Sequence, residues 1–174
     1  HGAHLGFGYG FPKDAYSCGA DIVVESLHKT LPSLTQTAIC YCREEYAQKL
    51  SQKLSVFQTS SPSYLLMASI DGCIDLLLKK GDELFDKWQK KLECFYEKCE
   101  KLQNIEIYKD DNFFGRDPGK IVLLCHSGKW LFEELQKKSI ECEMASLGYV
   151  VAMTGMGDTG EMLSYFAASL LDID

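Results

Sequence analysis

Residues 20–31 read A-D-I-V-V-E-S-L-H-K-T-L, and this stretch sets the expected fold. The short β-branched run at 20–25 predicts a buried strand. Lys29 follows the end of that strand, between His28 and Thr30. Burial or a cationic neighbour lowers the pKa of a lysine and makes its amine a nucleophile. The segment therefore predicts a reactive amine beside a strand end, against the commoner alternative of an exposed surface lysine.

Hydroxyl residues surround this lysine. Ser26 and Thr30 are suitable hydrogen-bond donors for a phosphate group, and Ser33, Thr35 and Thr37 follow shortly after. An imine-forming amine beside phosphate donors suggests pyridoxal phosphate, which enzymes hold as a Schiff base. The residues alone leave this interpretation open beside that of a plain surface lysine.

The chain beyond this segment alternates between strand and helix patterns. A second strand is predicted at 37–42 and a polar helix at 43–54. The run 60–63, S-S-P-S, interrupts the pattern, and Pro62 suits the first turn of a new helix capped by Ser61. That helix is long and carries one apolar stripe, formed by Leu84, Trp88, Leu92, Phe95, Cys99 and Leu102.

The character of the sequence changes after Asn104. Three strands are predicted at 120–125, 140–144 and 149–153, and two helices at 128–138 and 161–171. The order β-α-β-β-α is typical of a small α+β unit. We therefore predict two parts, residues 1–102, which end in the long linking helix, and residues 103–174, a small C-terminal domain.

Composition excludes several classes of protein. The chain has 174 residues, of which 46% are hydrophobic and 25% charged, as in ordinary globular proteins. A net charge of -7 with no basic stripe argues against nucleic-acid binding. No apolar run approaches the roughly 18 residues that a membrane span requires, so no membrane partner is expected. The first residues lack the pattern of a signal peptide.

The eight cysteines do not indicate a disulfide scaffold or a metal site. They are scattered through apolar segments, no C-x-x-C occurs, and the four histidines lack ligand spacing. We expect reduced thiols, no bound metal and a cytoplasmic location.

Several stretches carry a family resemblance. They are H-G-A-H-L-G-F-G at 1–8, G-A-D-I-V-V-E-S-L-H-K-T-L at 19–31, T-Q-T-A at 35–38 and S-S-P-S-Y-L-L-M-A-S-I-D at 60–71. They resemble the Orn/Lys/Arg decarboxylases, pyridoxal-phosphate enzymes of fold type I, and the last is similar to the family's T-S-P-S-Y-L-L-M-A-S-x-D. Weaker similarity at 140–145 and 157–159 extends the resemblance over nearly the whole chain.

The resemblance implies an α/β fold. Residues 1–102 would form the second half of an aspartate-aminotransferase-like (fold type I) domain that binds pyridoxal 5'-phosphate, and residues 103–174 the small α+β domain. The implied activity is decarboxylation of lysine, ornithine or arginine to the amine and carbon dioxide. Such a reaction belongs to amino acid and polyamine metabolism.

The resemblance also implies roles around the lysine. Lys29 would hold the cofactor as a Schiff base, and Ser26 would bind its phosphate. His28 would pack beside both groups, and either Lys29 or His28 would protonate the α-carbon of the product.

More distant residues receive roles by the same resemblance. His1 matches the histidine of the family's D-E-A-H-G motif and would lie near the 3-hydroxyl of the cofactor, with His4 close by. Thr59 or Ser60 would reach the phosphate of a neighbouring subunit's cofactor. A homodimer or larger assembly with shared active sites is therefore expected.

One departure from the family pattern leaves alternatives open. The aspartate of D-E-A-H-G would stand three residues before His1, so the chain is expected to be part of a longer subunit and inactive by itself. A different fold type I enzyme is one alternative. Cysteine desulfurases share S-x-H-K, but a glycine-rich stretch follows it there, whereas residues 30–37 read T-L-P-S-L-T-Q-T here. The other alternative is a non-catalytic assembly fragment.

Two further features of the sequence are less specific. Residues 155–160, G-M-G-D-T-G, match the dinucleotide fingerprint G-x-G-x-x-G, but only 14 residues follow, so a glycine turn with Asp158 or Thr159 capping the last helix is the better prediction.

The acidic residue that would recognise a basic substrate is not identified by the sequence. Candidates by charge alone are Glu25, Glu141, Glu143, Asp158 and Glu161.

Overall fold

The computed structural model describes residues 2–7, 11–109 and 115–174. The chain divides into two compact units, His1–Glu83 and Leu84–Asp174. None of the helices in the described ranges is both long and apolar enough to span a membrane.

The first unit contains a two-stranded sheet and helices. Its elements are β1 (Ile22–Ser26), a 3-10 turn (Leu27–Lys29), β2 (Ala38–Cys42), α1 (Glu44–Phe57) and the first part of α2 (Tyr64–Lys98). The two strands are antiparallel, in a register that runs from Ile22 opposite Cys42 to Ser26 opposite Ala38. Both predicted strands and the polar helix are confirmed, with small shifts of their ends.

The prediction that β1 is a buried strand was wrong for one of its faces. Val23 is buried, but Ile22 is 47% exposed and Val24 is 71% exposed. Successive side chains of a strand point to opposite faces of the sheet, so the two faces differ in burial. No layer from the described part of the chain covers the face that carries Val24.

The start of α2 also differs from the prediction. The helix begins at Tyr64 rather than at Pro62. The hydroxyl of Ser63, not that of Ser61, accepts a hydrogen bond from the backbone N–H of Leu66, at 3.4 Å. Ser63 therefore occupies the capping position, because a cap must lie within reach of the third residue of the helix.

The second unit packs helices and an antiparallel sheet. It contains the end of α2, a 3-10 turn (Cys99–Lys101), β3 (Glu106–Ile107), β4 (Lys120–Leu124), α3 (Gly128–Lys137), β5 (Met144–Ala145), β6 (Tyr149–Met153) and α4 (Gly160–Ile173). The strand order is β3-β4-β6-β5. This agrees with the predicted mixture of strands and helices.

The strand predicted at 140–144 is limited to Met144–Ala145. Ser139 adopts a left-handed conformation with φ 59°, its N–H donates to Gln136 O, and the N–H of Ile140 donates to Leu135 O. These two bonds form a Schellman motif, which satisfies the last carbonyls of α3. The backbone after α3 therefore completes the helix end before strand pairing can begin.

Trp88 centres the core of the second unit. Its ring is fully buried, and its Nε1–H donates to Thr154 Oγ1 at 3.1 Å. That hydroxyl in turn donates to Gly119 O at 3.1 Å. The predicted stripe on α2 is confirmed at Trp88, Leu92, Phe95 and Cys99, whereas Phe85 rather than Leu84 is its buried first member.

The packing of this stripe explains why the units divide inside α2. Phe85 and Trp88 belong to the second core, so the compact units separate after Glu83, within the long helix. The assignment of 1–102 and 103–174 to a large and a small domain concerns the whole protein, and it stays a prediction.

Gly128, the first residue of α3, gives a direct test of this packing. A Cβ at this position would lie 2.1 Å from Ser146 O and 2.4 Å from Tyr149 O, both of which are backbone atoms. We expect Gly128→Ala to lower the free energy of unfolding of this unit by about 3 kcal/mol or more, because rigid backbone must move. Thermal unfolding measures the loss.

Gly160 provides the matched control, since it is the first residue of α4 and a Cβ there meets no atom within 4 Å. Gly160→Ala should change stability by no more than about 0.5 kcal/mol. Equal melting temperatures for the two variants would contradict the assigned close approach at Gly128.

Candidate active site

Lys29 is the last residue of a short 3-10 turn, and buried residues lie at both ends of this turn. Leu27 is 1% exposed, and its carbonyl accepts the N–H of Leu31 at 2.9 Å. Thr30 is also buried, whereas Lys29 itself is exposed. The burial that was expected to activate this lysine is therefore not provided by the described residues. What the fold supplies is a fixed backbone that presents the amine.

The hydroxyls beside Lys29 have different surroundings. Ser26 occupies the residue before the 3-10 turn, but its side chain makes no capping hydrogen bond and is half-buried. Thr30 Oγ1 is buried and has no hydrogen-bond partner among the described residues. A buried hydroxyl without a partner carries a desolvation cost, which a ligand or water at this point would relieve.

His28 is held by a backbone carbonyl. Its Nδ1 lies 2.9 Å from Thr37 O, and the same oxygen accepts the N–H of Leu27 at 3.1 Å. A carbonyl oxygen can only accept, so Nδ1 carries the proton in this contact. The neutral ring then has its lone pair on Nε2, which makes Nε2 the atom that can take or give a proton.

The turn that supplies this carbonyl is tight. The N–H of Thr37 donates to Leu34 O at 3.1 Å, and Gln36 has φ 80°. A positive φ at the third position of a four-residue turn is the pattern of a type II turn, where glycine is the usual residue. Gln36 therefore stores backbone strain beside the segment that carries Lys29.

Three hydroxyls, which we call the hydroxyl triad (Ser33, Thr37 and Ser69), clamp this turn. Ser69 Oγ lies 3.2 Å from Ser33 Oγ and accepts the N–H of Leu34 at 2.8 Å. Thr37 Oγ1 lies 2.8 Å from Ser33 Oγ and 2.7 Å from Leu34 O. Sequence reasoning gave Ser69 no role, although it lies inside the 60–71 motif, because nothing in its spacing indicates contact with a loop 36 residues earlier.

Of the other predicted site residues, the structure describes His4, Thr59 and Ser60. His1 lies outside the described residues. His4 is fully buried, and its ring meets that of Phe11 edge-on at 5.3 Å. Thr59 and Ser60 are exposed in the connection between α1 and α2, where Thr59 Oγ1 accepts the N–H of Ser61 at 3.1 Å. Their roles at the cofactor stay predictions.

Glu25 is engaged by a tyrosine of the neighbouring strand. Tyr41 Oη donates to Glu25 Oε2 at 3.1 Å. Burial raises the pKa of Tyr41 to about 12, with further contributions from the charge of Glu25 and from this hydrogen bond. Glu25, one of the acidic residues considered for substrate recognition, thus has a partner within the sheet.

The glycine-rich segment at 155–160 forms a turn and a helix cap. Asp158 Oδ2 accepts the N–H of Gly155 at 2.7 Å, and Thr159 Oγ1 accepts the N–H of Met162 at 3.1 Å. This confirms the prediction of a capped turn, with Thr159 as the capping residue.

Comparison with protein families decides the relationship. The family model for Orn/Lys/Arg decarboxylases, major domain, matches residues 1–164. The chain belongs to the Orn/Lys/Arg decarboxylase family. The match includes the turn that bears Lys29, the strained turn at Gln36 and the 60–71 motif, so the resemblance inferred from those stretches is confirmed.

Curated relatives agree with this assignment. An uncharacterized protein of Bacillus subtilis, YaaO, is 33% identical over 168 residues, which cover 90% of this chain and 34% of the relative. An arginine decarboxylase of the same organism is 29% identical over 188 aligned positions, which cover 99% of this chain and 38% of the relative. The chain thus spans little more than a third of the length of these relatives.

Solved structures confirm the fold class. A lysine decarboxylase of Francisella novicida superposes with a TM-score of 0.78 at 16% identity, over 87% of this chain and 28% of that one. An alanine–glyoxylate aminotransferase of Nostoc sp. gives a TM-score of 0.72 at 15% identity, over 94% and 50% of the two chains. Such low identity shows the fold alone, which is the predicted α/β fold of type I.

The strained turn gives a stability prediction. Gln36→Val should destabilise the first unit by about 1–2 kcal/mol, because a β-branched side chain is disfavoured at positive φ. Gln36→Gly should be at least as stable as the natural chain, since glycine accepts this conformation. Denaturant unfolding compares the two variants, and equal midpoints would contradict the strained conformation.

The Tyr41–Glu25 contact gives a pH prediction. The folded pKa of Tyr41, about 12, lies above the usual 10, so this group stabilises the fold below pH 10 and the contribution is lost as pH rises toward 12. Ultraviolet titration should show a tyrosine that ionises near pH 12. Glu25→Gln should lower that pKa only part of the way to 10, because burial remains. An unchanged titration would contradict the contact.

Proposed function

We propose that this chain carries the cofactor-binding lysine of a pyridoxal-phosphate-dependent enzyme that decarboxylates a basic amino acid, namely lysine, ornithine or arginine. One observation carries the proposal: Lys29 lies exposed on a fixed turn, and a hydrogen bond to Thr37 O holds the ring of the adjacent His28. Both residues lie within the part of the chain that the family model matches. Relatives named as arginine decarboxylases, at 27% to 29% identity, support the class of substrate.

The residues present fit the proposed cofactor. Lys29 offers an exposed primary amine, and the hydroxyl of Ser26 is not used to cap the turn. Thr30, next to the lysine, has a buried hydroxyl for which the described ranges provide no hydrogen-bond partner. When bound, pyridoxal phosphate supplies an aldehyde that condenses with amines and a ring that takes up the electron pair left by departing carbon dioxide.

The proposed reaction converts the amino acid and one proton into an amine and carbon dioxide. Lys29 would hold the cofactor between turnovers, and Ser26 would donate a hydrogen bond to its phosphate. The proton that replaces the carboxylate must come from a positioned acid. One proposed donor is His28, whose Nε2 would first take up a proton from solvent and then give it, since Nδ1–H is occupied by Thr37 O. The other proposed donor is the protonated amine of Lys29.

Further parts of the proposal concern the assembly. His1 and His4 would lie near the cofactor, and Thr59 or Ser60 would serve the site of a second copy in a homodimer. The exposure of the last two is compatible with such a contact. A cytoplasmic location and a role in polyamine metabolism belong to the same proposal.

The test is reductive trapping of the lysine. The longest natural chain that contains this sequence is incubated with pyridoxal phosphate, reduced with borohydride, digested and mapped by mass spectrometry. We expect the pyridoxyl label on Lys29 and its loss in Lys29→Ala. Lys79, exposed on α2 and paired with Asp75 at 2.8 Å, gives the control variant Lys79→Ala, which should keep the label.

Release of carbon dioxide from lysine, ornithine and arginine then identifies the reaction. Label on Lys29 together with release from one of the three supports the proposal. Label on Lys29 without release of carbon dioxide would reject the decarboxylase and favour another reaction of a fold type I enzyme. An aminotransferase is among the solved structures with a similar fold. Absence of label would favour the assembly fragment.

A further inference from the structure

The hydrogen bonds of the hydroxyl triad connect it to the backbone of Leu34. The Thr37 hydroxyl shares its one hydrogen between two acceptors, Leu34 O at 2.7 Å and Ser33 Oγ at 2.8 Å. Ser33 Oγ lies 3.2 Å from Ser69 Oγ, and either hydroxyl can donate in that bond. Ser69 Oγ accepts from the N–H of Leu34. The four bonds therefore form a closed ring that begins and ends at one residue.

The closed ring links each of the three hydroxyls to two hydrogen-bond partners. Hydrogen bonds linked in this way polarise one another and are stronger together than apart. The ring fixes the separation of the N–H and C=O groups of Leu34, and hence the turn in which Gln36 has φ 80°. Thr37 is 2% exposed, so water has little access to its end of the ring.

The turn leads directly to the imidazole of His28. Thr37, which closes the turn, supplies both the hydroxyl of the ring and the carbonyl oxygen that receives His28 Nδ1–H at 2.9 Å. A change in the orientation of the Thr37 peptide would move its carbonyl oxygen away from Nδ1 of the His28 imidazole. Ser69, on α2, therefore acts on His28 through two intervening residues.

We propose that the hydroxyl triad positions His28, holding its neutral ring as the Nδ1–H tautomer with Nε2 available for proton exchange at the cofactor. Ser33, Thr37 and Ser69 are positioning residues, since none of them needs to touch the reacting atoms. Only one part of this proposal rests on the proposed function, namely that Nε2 exchanges a proton at the cofactor. The tautomer is a property of the chain itself and is measurable without cofactor.

The test is nitrogen-15 NMR of histidine rings in the natural chain that contains this sequence, labelled with [15N]histidine and without added cofactor. His28→Gln assigns the signals. At a pH where the ring is neutral, we expect a protonated Nδ1 and an unprotonated Nε2. The opposite tautomer in the unsubstituted protein would overturn the proposal without any further variant.

Matched pairs of variants then test the triad. Thr37→Val removes the hydroxyl at similar volume and Thr37→Ser retains it, while Ser69→Ala and Ser69→Thr form a second pair at a half-buried position. The hydroxyl-free member of each pair should lower the Nδ1–H to Nε2–H ratio about two- to tenfold, the effect of one lost hydrogen bond. The hydroxyl-bearing members should restore it.

A serine outside the triad provides the control variant, and one result for Ser69→Ala would overturn the proposal. Ser55 Oγ donates to Gln52 O at 2.8 Å on exposed α1, so Ser55→Ala removes a serine bond elsewhere and should leave the ratio unchanged. An unchanged ratio in folded Ser69→Ala would show that the ring serves stability alone and would overturn the proposal. Failure of Lys29 to take the borohydride label would instead reject the proposed function and leave the tautomer result standing.

Discussion

The carbonyl oxygen of Thr37 is the point on which the first unit depends. It accepts the N–H of Leu27 and His28 Nδ1–H at once, so it extends the pairing of β1 with β2 and fixes a side chain beside Lys29. A carbonyl has two lone pairs, and here each has a defined donor. The position of His28 is therefore set by the backbone of the sheet rather than by side-chain packing.

The strain at Gln36 and the hydroxyls around it belong to the same arrangement. A left-handed residue costs free energy and persists only where the surroundings hold it. The hydroxyl triad supplies that hold, and it includes Ser69 from α2. Rigid support of this kind suits a site in which an amine and an imidazole must keep fixed positions.

Local patterns predicted most of the helices and strands. The β-branched run before Ser26, the apolar stripe through Trp88 and the cap at Thr159 follow from side-chain periodicity and local hydrogen bonding, which short stretches of sequence encode. Burial of β1 was misjudged, because Val24 is exposed or covered according to what packs on its face. Ser63 rather than Ser61 caps α2, because the helix begins at Tyr64 and the hydroxyl of Ser63 is the one that accepts the N–H of Leu66.

The sequence by itself determined the family, the α/β fold and the presence of a lysine with histidine and hydroxyl neighbours. The tertiary structure alone decided that Lys29 is exposed, that His28 presents Nε2, and that Ser69 reaches the turn at Leu34. The reason is physical. Periodicity and capping act within a few residues, whereas a hydrogen bond between residues far apart in the chain leaves no spacing that a sequence can show.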